Sequence, residues 1–337
     1  MRWGGKNLNL NKENILLFCI DNLVWIIVAV TFIIFSFLHP AFYTMQSIYA
    51  FLQITGFVGP LALGLTLCIL AGDFDLSLEQ IAGLGAVLIC WLVEISGWPL
   101  PWYIILIVPF IVAPLIGLFQ GMLIGRYKLN PFLVTLSGWI IWRSLKLYFS
   151  GGHYYSIAIP QLLFLGYQRI MGTIHISTTI FLAMIVFFWF LLKHTKLGVW
   201  IYAVGSSPET AKRLGVDPGR IRILVHTVAA LLAAFTGVFY VGQLRGFVQP
   251  NVADWDIFKA FIAIAIAGID IRGGRGRISN VLGGVIFYAM VLHGSQMLGI
   301  PWPFSEYILP GGLTLIAVIL LHRLDMFRDM ILARKIR

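Results

Sequence analysis

The side chains able to do chemistry in this 337-residue chain are 14 carboxylates, seven histidines and three cysteines. Nucleotide hydrolysis needs a G-x-x-x-x-G-K-[ST] loop, whose backbone amides cradle phosphates while the lysine reaches them; no lysine here is followed by Ser or Thr. Zinc hydrolysis needs H-E-x-x-H, which the sequence lacks, and His39, His153, His175, His194, His226, His293 and His322 are too scattered to suggest a ligand set. The G-x-S-x-G elbow of serine hydrolases is missing too. Cys19, Cys68 and Cys90 lie in or beside apolar stretches without a C-x-x-C pair, so they read as buried small residues, not as a disulfide framework or metal site. The chain is expected not to be an enzyme, and a membrane-embedded catalyst is the weakest reading.

Ion-coupled carriers hold carboxylates deep in the membrane, where ionisable groups are costly. Asp21, Asp73, Asp75, Glu79, Glu94, Asp254, Asp256, Asp270 and Glu306 instead fall at the ends of apolar stretches or in loops, which speaks against ion coupling. Arg143 and Lys146 are three residues apart, hence on one helix face. There they would meet substrate or backbone carbonyls, or else snorkel to the outer surface.

The elements that must position these groups are membrane helices. Apolar residues make up 59% of the chain and charged residues 11%, with a mean hydropathy of +0.90; soluble domains carry about 45–50% and about 25%. Stretches of suitable character run over 23–38, 47–71, 81–93, 103–125, 132–149, 174–192, 223–244, 258–269, 280–298 and 307–321. The expected fold is an all-α polytopic membrane protein of about ten transmembrane helices. The third and eighth are too short to cross as plain helices, so they should be tilted, broken or shielded.

With the N-terminus cytoplasmic, nineteen of the 24 Lys and Arg residues fall inside. They lie in the N-terminal segment, at Arg126 and Lys128, across 193–222, at Arg272, Arg275 and Arg277, and in the tail; Arg169 and Arg245 are the two outside. This asymmetry puts both termini in the cytoplasm, and the scatter over several short loops excludes a nucleic-acid stripe. The first apolar stretch has no small-residue cleavage site after it and reads as a retained helix. Gly117, Gly121 and Gly125, like Ala260, Ala263 and Ala267, form small-residue stripes for close helix packing. Ala71-Gly72, Asp75 and the Gly83 region echo Ala267-Gly268, Asp270 and the Gly283 region; a duplicated hairpin of parallel sense or chance in a Gly/Ala-rich chain would both produce this.

The inside loop 193–222 is the most informative stretch. Ser206-Ser207-Pro208-Glu209 carries helix-start chemistry and Gly215 stops the helix. A helix of about two turns between two spans is shaped to dock into a cleft on a cytoplasmic partner, with Pro208, Glu209, Thr210, Ala211 and Gly215 as its residues and Glu209 and Ala211 on the surface. A solvated basic loop explains the charges but not these start and stop signals.

Taken together, the residues resemble the membrane-spanning permease subunits of ATP-binding-cassette importers of the ribose and branched-chain amino acid type, and the ribose-like sugar branch fits best. The resemblance covers about 42–321. It rests on Asp75-Leu76-Ser77, Asn130-Pro131-Phe132 with Thr135-Leu136, Arg143, Gly151-Gly152, and His194-Thr195 through Gly198 to Tyr202-Ala203-Val204-Gly205. It continues with Glu209-Thr210-Ala211 and Gly215-Val216, Gln249-Pro250-Asn251, and Gly273-Gly274-Arg275-Gly276, all in order and spacing. It implies a ten-span permease that dimerises with an identical or paralogous subunit and binds two cytoplasmic ATPases through the loop around Glu209. Solute arrives from an extracytoplasmic binding protein. ATP and Mg then belong to the partner subunits, and this chain needs no cofactor or metal.

The implied organisation is a cytoplasmic segment 1–22, one permease domain 23–321 in the cell membrane, and a basic cytoplasmic tail 322–337. Asp75, Ser77, Gly273, Gly274, Arg275 and Gly276 belong to inside-facing junctions; Arg143, Gln249, Asn251, Trp255 and Lys259 are the pathway or outer-mouth candidates. Lys259 would share a helical face with Trp255 if the helix starts that early. Three departures stand out: Leu78-Glu79 replaces a Val-Gly pair, so α-helix should start with Ser77 and Gln80 in capping-box spacing. Lys259 stands where the family tends to carry acid, and Lys146 where it carries a small residue. Both add positive charge near the outer half, so an anionic or otherwise different small solute is open beside a sugar. The rival function is a stand-alone facilitator or ion-coupled secondary carrier, disfavoured by the missing membrane carboxylate and by the docking loop.

Overall fold

The computed structural model describes residues 22–95 and 100–319. Cys19, Arg2, Lys6, Lys12 and Asp21, and the tail 322–337 with His322, lie outside the described residues. The helices, in chain order, are α1 (Leu23–Leu38), α2 (Met45–Leu70), α3 (Leu78–Ile95), α4 (Trp102–Gly125), α5 (Pro131–Ser150) and α6 (Pro160–Tyr167). They continue with α7 (Ile176–His194), α8 (Lys196–Ser206), α9 (Pro208–Arg213), α10 (Pro218–Gln243), α11 (Asp256–Ile266), α12 (Ile278–Met297) and α13 (Phe304–Ile319). Among the described residues, a helix covers most of each apolar stretch picked out above. α2, α4, α7, α10 and α12 are long and apolar enough to cross a membrane. α3 runs to 18 residues, longer than its apolar run, because the polar Glu79 and Gln80 are also helical. α11 stays short, at 11 residues. Two-residue strands β1 (Tyr155–Ser156), β2 (Arg169–Ile170), β3 (Ile174–His175) and β4 (Phe247–Val248) pair antiparallel as β1–β4 and β2–β3.

Local chemistry sets the ends. Asn130 Oδ1 accepts from the Phe132 amide at 2.9 Å ahead of Pro131, and Asp217 Oδ1 accepts from Gly219 at 2.9 Å ahead of Pro218, each satisfying a helix-start donor. α10 runs through the core against α2, α3 and α4. Outward, Ile107, Ile111, Leu115 and Phe119 stand at four-residue spacing along α4, each more than half exposed, as a helix face bathed in lipid requires. The glycine stripe of α4 faces α10: a Cβ at Gly117 would lie 2.5 Å from the His226 carbonyl oxygen, and one at Gly121 2.8 Å from Ile223 Cα. Close backbone approach replaces the hydrophobic drive that lipid cannot supply.

The turns after α2 and α11 are built alike. Gly72 and Gly268 donate to carbonyls three residues back, Ile69 at 2.8 Å and Ala265 at 3.1 Å; the next amides, of Asp73 and Ile269, reach five back, to Cys68 at 2.9 Å and Ile264 at 3.2 Å. Both glycines need positive φ, +86° and +70°. The two junctions touch, since the Gly274 amide donates to the Leu70 carbonyl at 3.2 Å. They then diverge. Residues 270–276 form a loop with Ile271, Arg272 and Arg275 exposed, whereas in 73–77 Asp73, Asp75 and Ser77 are buried in alternation.

Candidate functional site

The 73–77 segment meets α10 and α4 in a dry polar cluster. Asp73 Oδ1 is 3.3 Å from Arg222 Nε and Asp73 Oδ2 is 3.4 Å from His226 Nε2. Asp75 Oδ2 is 2.8 Å from His226 Nδ1, and its other oxygen accepts from the Ser77 amide at 2.9 Å. Ser77 Oγ lies 2.7 Å from Asp75 Oδ1 and 3.0 Å from Gln120 Oε1. The expected capping box is therefore not made: the serine hydroxyl is taken by Asp75, and the Gln80 side chain points to Glu79 and Asp254. Asp75 and Ser77, between α2 and α3, are both buried. Cys68, Asp75 and His226 bring ligand atoms within 4.8 Å of one another. Both ring nitrogens of His226 face carboxylates, at 2.8 and 3.4 Å.

A second polar layer joins α3, α5 and α11. The Glu79 carboxylate, 1% exposed, accepts from Trp139 Nε1 at 2.6 Å, Gln80 Nε2 at 3.0 Å and the Ile257 amide at 2.8 Å. Lys146 is fully buried, donates to the Val252 carbonyl at 2.9 Å and pairs with Asp254, which also receives Gln80 at 3.0 Å. Arg143 is 3.5 Å from Asp254 and stacks over Trp139. Lys259 is 2.8 Å from Asp256 and pairs with Glu306, while Tyr240 donates to Asp256. Lys146 thus does not snorkel, and the carboxylates do not avoid the interior: Glu79, Asp254 and Asp256 lie inside the bundle, matched by cations and donors.

Among the outer-mouth candidates, Gln249 and Asn251 are exposed and Arg143 and Lys259 join the layer. Trp255 does not share a face with Lys259. It precedes the helix with φ +73° and is 57% exposed, whereas Lys259 is 8% exposed. Trp255, Phe258, Phe261, Trp302, Tyr307 and Thr314 line a cleft of about 730 Å³ between α11 and α13. A separate polar cavity of about 690 Å³ gathers Gln53, Tyr167, Arg169, His175, Gln243 and Arg245.

The loop 193–222 folds as its start and stop residues suggest. Ser207 Oγ accepts from the Thr210 amide at 3.3 Å, Pro208 and Glu209 form the first turn of α9, and Gly215 turns the chain at φ +83°. Pro208, Glu209, Thr210 and Leu214 are exposed. Ala211 is not a surface position; at 1% exposed it packs inward. The preceding residues rest on the paired turns: a Cβ at Gly72 would lie 3.3 Å from Gly205 Cα, and one at Gly273 2.8 Å from Gly72 Cα. Gly274 faces Ser206, Tyr202 donates to the Gly276 carbonyl at 2.9 Å, and Arg275 is exposed. Beside them, hydrogen bonds from Arg272 hold the Asp270 carboxyl below the usual carboxylate range.

Asp73, Arg222, His226 and Gln120 had no site role on sequence grounds, and Glu79, Asp254 and Asp256 were expected at the ends of apolar stretches or in loops. The available signal was the alternation of polar residues at 73, 75 and 77 between two apolar runs.

The family described as "Branched-chain amino acid transport system / permease component" matches residues 47–318. The chain is 27% identical over 290 residues to the ribose import permease protein of Escherichia coli K12, covering 85% of this chain and 88% of that one. It is 30% identical over 284 residues to the fructose import permease protein of Rhizobium meliloti, covering 82% and 78%. It is 26% identical over 331 residues to the galactose/methyl galactoside import permease protein of E. coli K12, covering 92% and 96%. No solved structure gives a significant match.

Proposed function

Since the chain belongs to this transport-system permease family, and is thus the membrane-spanning permease subunit of an ATP-binding-cassette importer and a multi-pass protein of the plasma membrane, we propose that it carries a small polar solute, a monosaccharide by preference. The relatives' names support a sugar, and the aromatic cleft between α11 and α13 offers ring faces of the kind that sugar rings stack on. The ten helical stretches form ten spans with both termini cytoplasmic. α9 docks on the ATPase subunits, which hold ATP and Mg; a second permease subunit completes the pathway. The extracytoplasmic binding protein docks over Gln249, Asn251 and the cavity of Arg169 and Arg245, the two basic residues assigned to the outer side. Solute then passes the layer of Arg143, Glu79 and Lys259. Transport requires the partner ATPases to bind the outward- and inward-open states with different affinity.

The observation that carries the reading is α9 itself, a capped and largely exposed helix that directly follows the Gly205–Ser206 stretch packed on the paired turns at Gly72 and Gly273. The test is uptake of labelled ribose, fructose, xylose and galactose by vesicles holding the chain with its ATPase and binding protein. Uptake of one of these only with ATP supports the proposal; full flux without the ATPase refutes it in favour of a stand-alone facilitator or ion-coupled carrier. The interior carboxylates remove one argument against that rival, but each is already matched by a cation or by several donors.

A further inference from the structure

His226 is fully buried on α10, and each of its ring nitrogens faces a carboxylate oxygen: Nδ1 is 2.8 Å from Asp75 and Nε2 is 3.4 Å from Asp73. Ionised carboxylate oxygens only accept, so meeting both as carboxylates requires a proton on both nitrogens, which makes the ring an imidazolium in this arrangement. Charge counting agrees: Asp73 and Asp75 are balanced by Arg222 and His226, and a neutral ring would strand a net negative charge in a dry site. From α2 the ring faces the Cys68 thiol, at 4.0 Å; on the α4 side the His226 carbonyl and Cβ, rather than the ring, pack against Gly117 and Gly121.

The cluster's place in the chain matters as much as its charge. Four residues separate the end of α9 at Arg213 from the start of α10 at Pro218, which ties that start to the partner-facing loop. The 73–77 segment leads directly into the first turn of α3, where Glu79 and Gln80 join the layer of Lys146 and Asp254. The clamp between His226 and the two aspartates is thus the charged link between an element that faces the ATPase and one that faces the solute. The loop has another contact with the same segment, the backbone approach of Gly205 to Gly72.

We propose that His226 is a positioning residue for transport: its imidazolium, held between Asp73 and Asp75, makes α10 and residues 73–80 move as one body, so that displacement of the α9 loop reaches Glu79 and Gln80. This rests on the reading of 208–215 as the ATPase contact. Substitution of the ring should lower the solute moved per ATP hydrolysed without releasing the ATPase, a separation that a merely structural histidine would not produce.

The test uses the full importer in vesicles. H226Q keeps a donor but strands one negative charge, and the expected result is about a tenfold fall in solute moved per ATP with the ATPase still co-purifying. D75N/H226Q restores neutrality, so it should assemble like wild type even where the single variant does not. Its coupling should still be at least about threefold low, because a neutral hydrogen bond is roughly half as strong as a charge-assisted one. Wild-type coupling in the double variant overturns the proposal. A chain whose only thiol is Cys68 (C19S/C90S) should resist maleimide both without nucleotide and with a non-hydrolysable ATP analogue. Labelling in either state shows that the clamp opens, and also overturns it. E209K, run in parallel, separates the two claims. If it keeps the ATPase and transports normally, the docking role of α9 falls; if it fails while D75N/H226Q couples normally, only the clamp falls.

Discussion

Replacing Lys146 with Met tests whether the outer layer is held by its charges. The side chain is 0% exposed, donates to the Val252 carbonyl at 2.9 Å and pairs with Asp254. Removing one partner of such a pair costs about 3–5 kcal/mol, because the other charge stays buried and uncompensated. Here Asp254 keeps Gln80 at 3.0 Å and Arg143 at 3.5 Å, so the lower end, about 3 kcal/mol, is expected for K146M. Asp254→Asn leaves Lys146 with only a carbonyl and should cost at least as much. Removing both charges avoids the stranded ion and leaves chiefly the Val252 carbonyl unpaired, a penalty of about 1–3 kcal/mol. The double variant K146M/D254N should therefore be no less stable than either single one. Unfolding in mixed detergent–SDS, followed by loss of helicity, measures all four proteins. Costs that simply add in the double variant would refute the pairing, since independent sites add and coupled ones do not.

Lys259→Asp, which on sequence grounds should alter the solute carried or the docking of the binding protein without changing span insertion, is expected to abolish folded protein. It would put a third carboxylate beside Asp256 and Glu306, and size-exclusion of detergent extracts reads the outcome. Gly117→Val should fail in the same assay, because its Cβ would meet the His226 carbonyl at 2.5 Å, whereas Gly311→Ala, with nothing within 4 Å, should behave as wild type. Ala211→Leu should lose folded protein because Ala211 is buried; Glu209→Lys, at an exposed position, should leave folding intact and cut ATPase co-purification. A cysteine at Ser206 should be labelled only from the cytoplasmic side and one at Asn251 only from outside, and labelling of both from a single face would contradict the proposed topology.

What could be seen in the sequence is what lipid and local chemistry impose residue by residue. An apolar run in a bilayer must be helical because its amides have no other partner there, so each of the ten runs contains a helix among the described residues. α9 was legible for a different reason: Ser207, Pro208 and Gly215 act on their own neighbours. Its six residues make too few turns to display a buried face, and Ala211 was misplaced for that reason. The polar interior was hidden because its partners are distant in the chain. His226 meets Asp75 across 151 residues and Lys146 meets Asp254 across 108, and no spacing rule links such positions. Hydropathy also misdirects here. A polar break between two apolar runs reads as a surface loop, yet in 73–77 every second side chain is buried. Its alternation at 73, 75 and 77 sets one side of the segment against polar partners on α10 and α4. That partner had to be found among the few polar residues of the long apolar runs, and His226 stands nearly alone in that role within 223–244. An isolated histidine in such a run is therefore better read as one half of a buried pair than as a scattered residue, because the cost of burying it alone would otherwise stand unopposed.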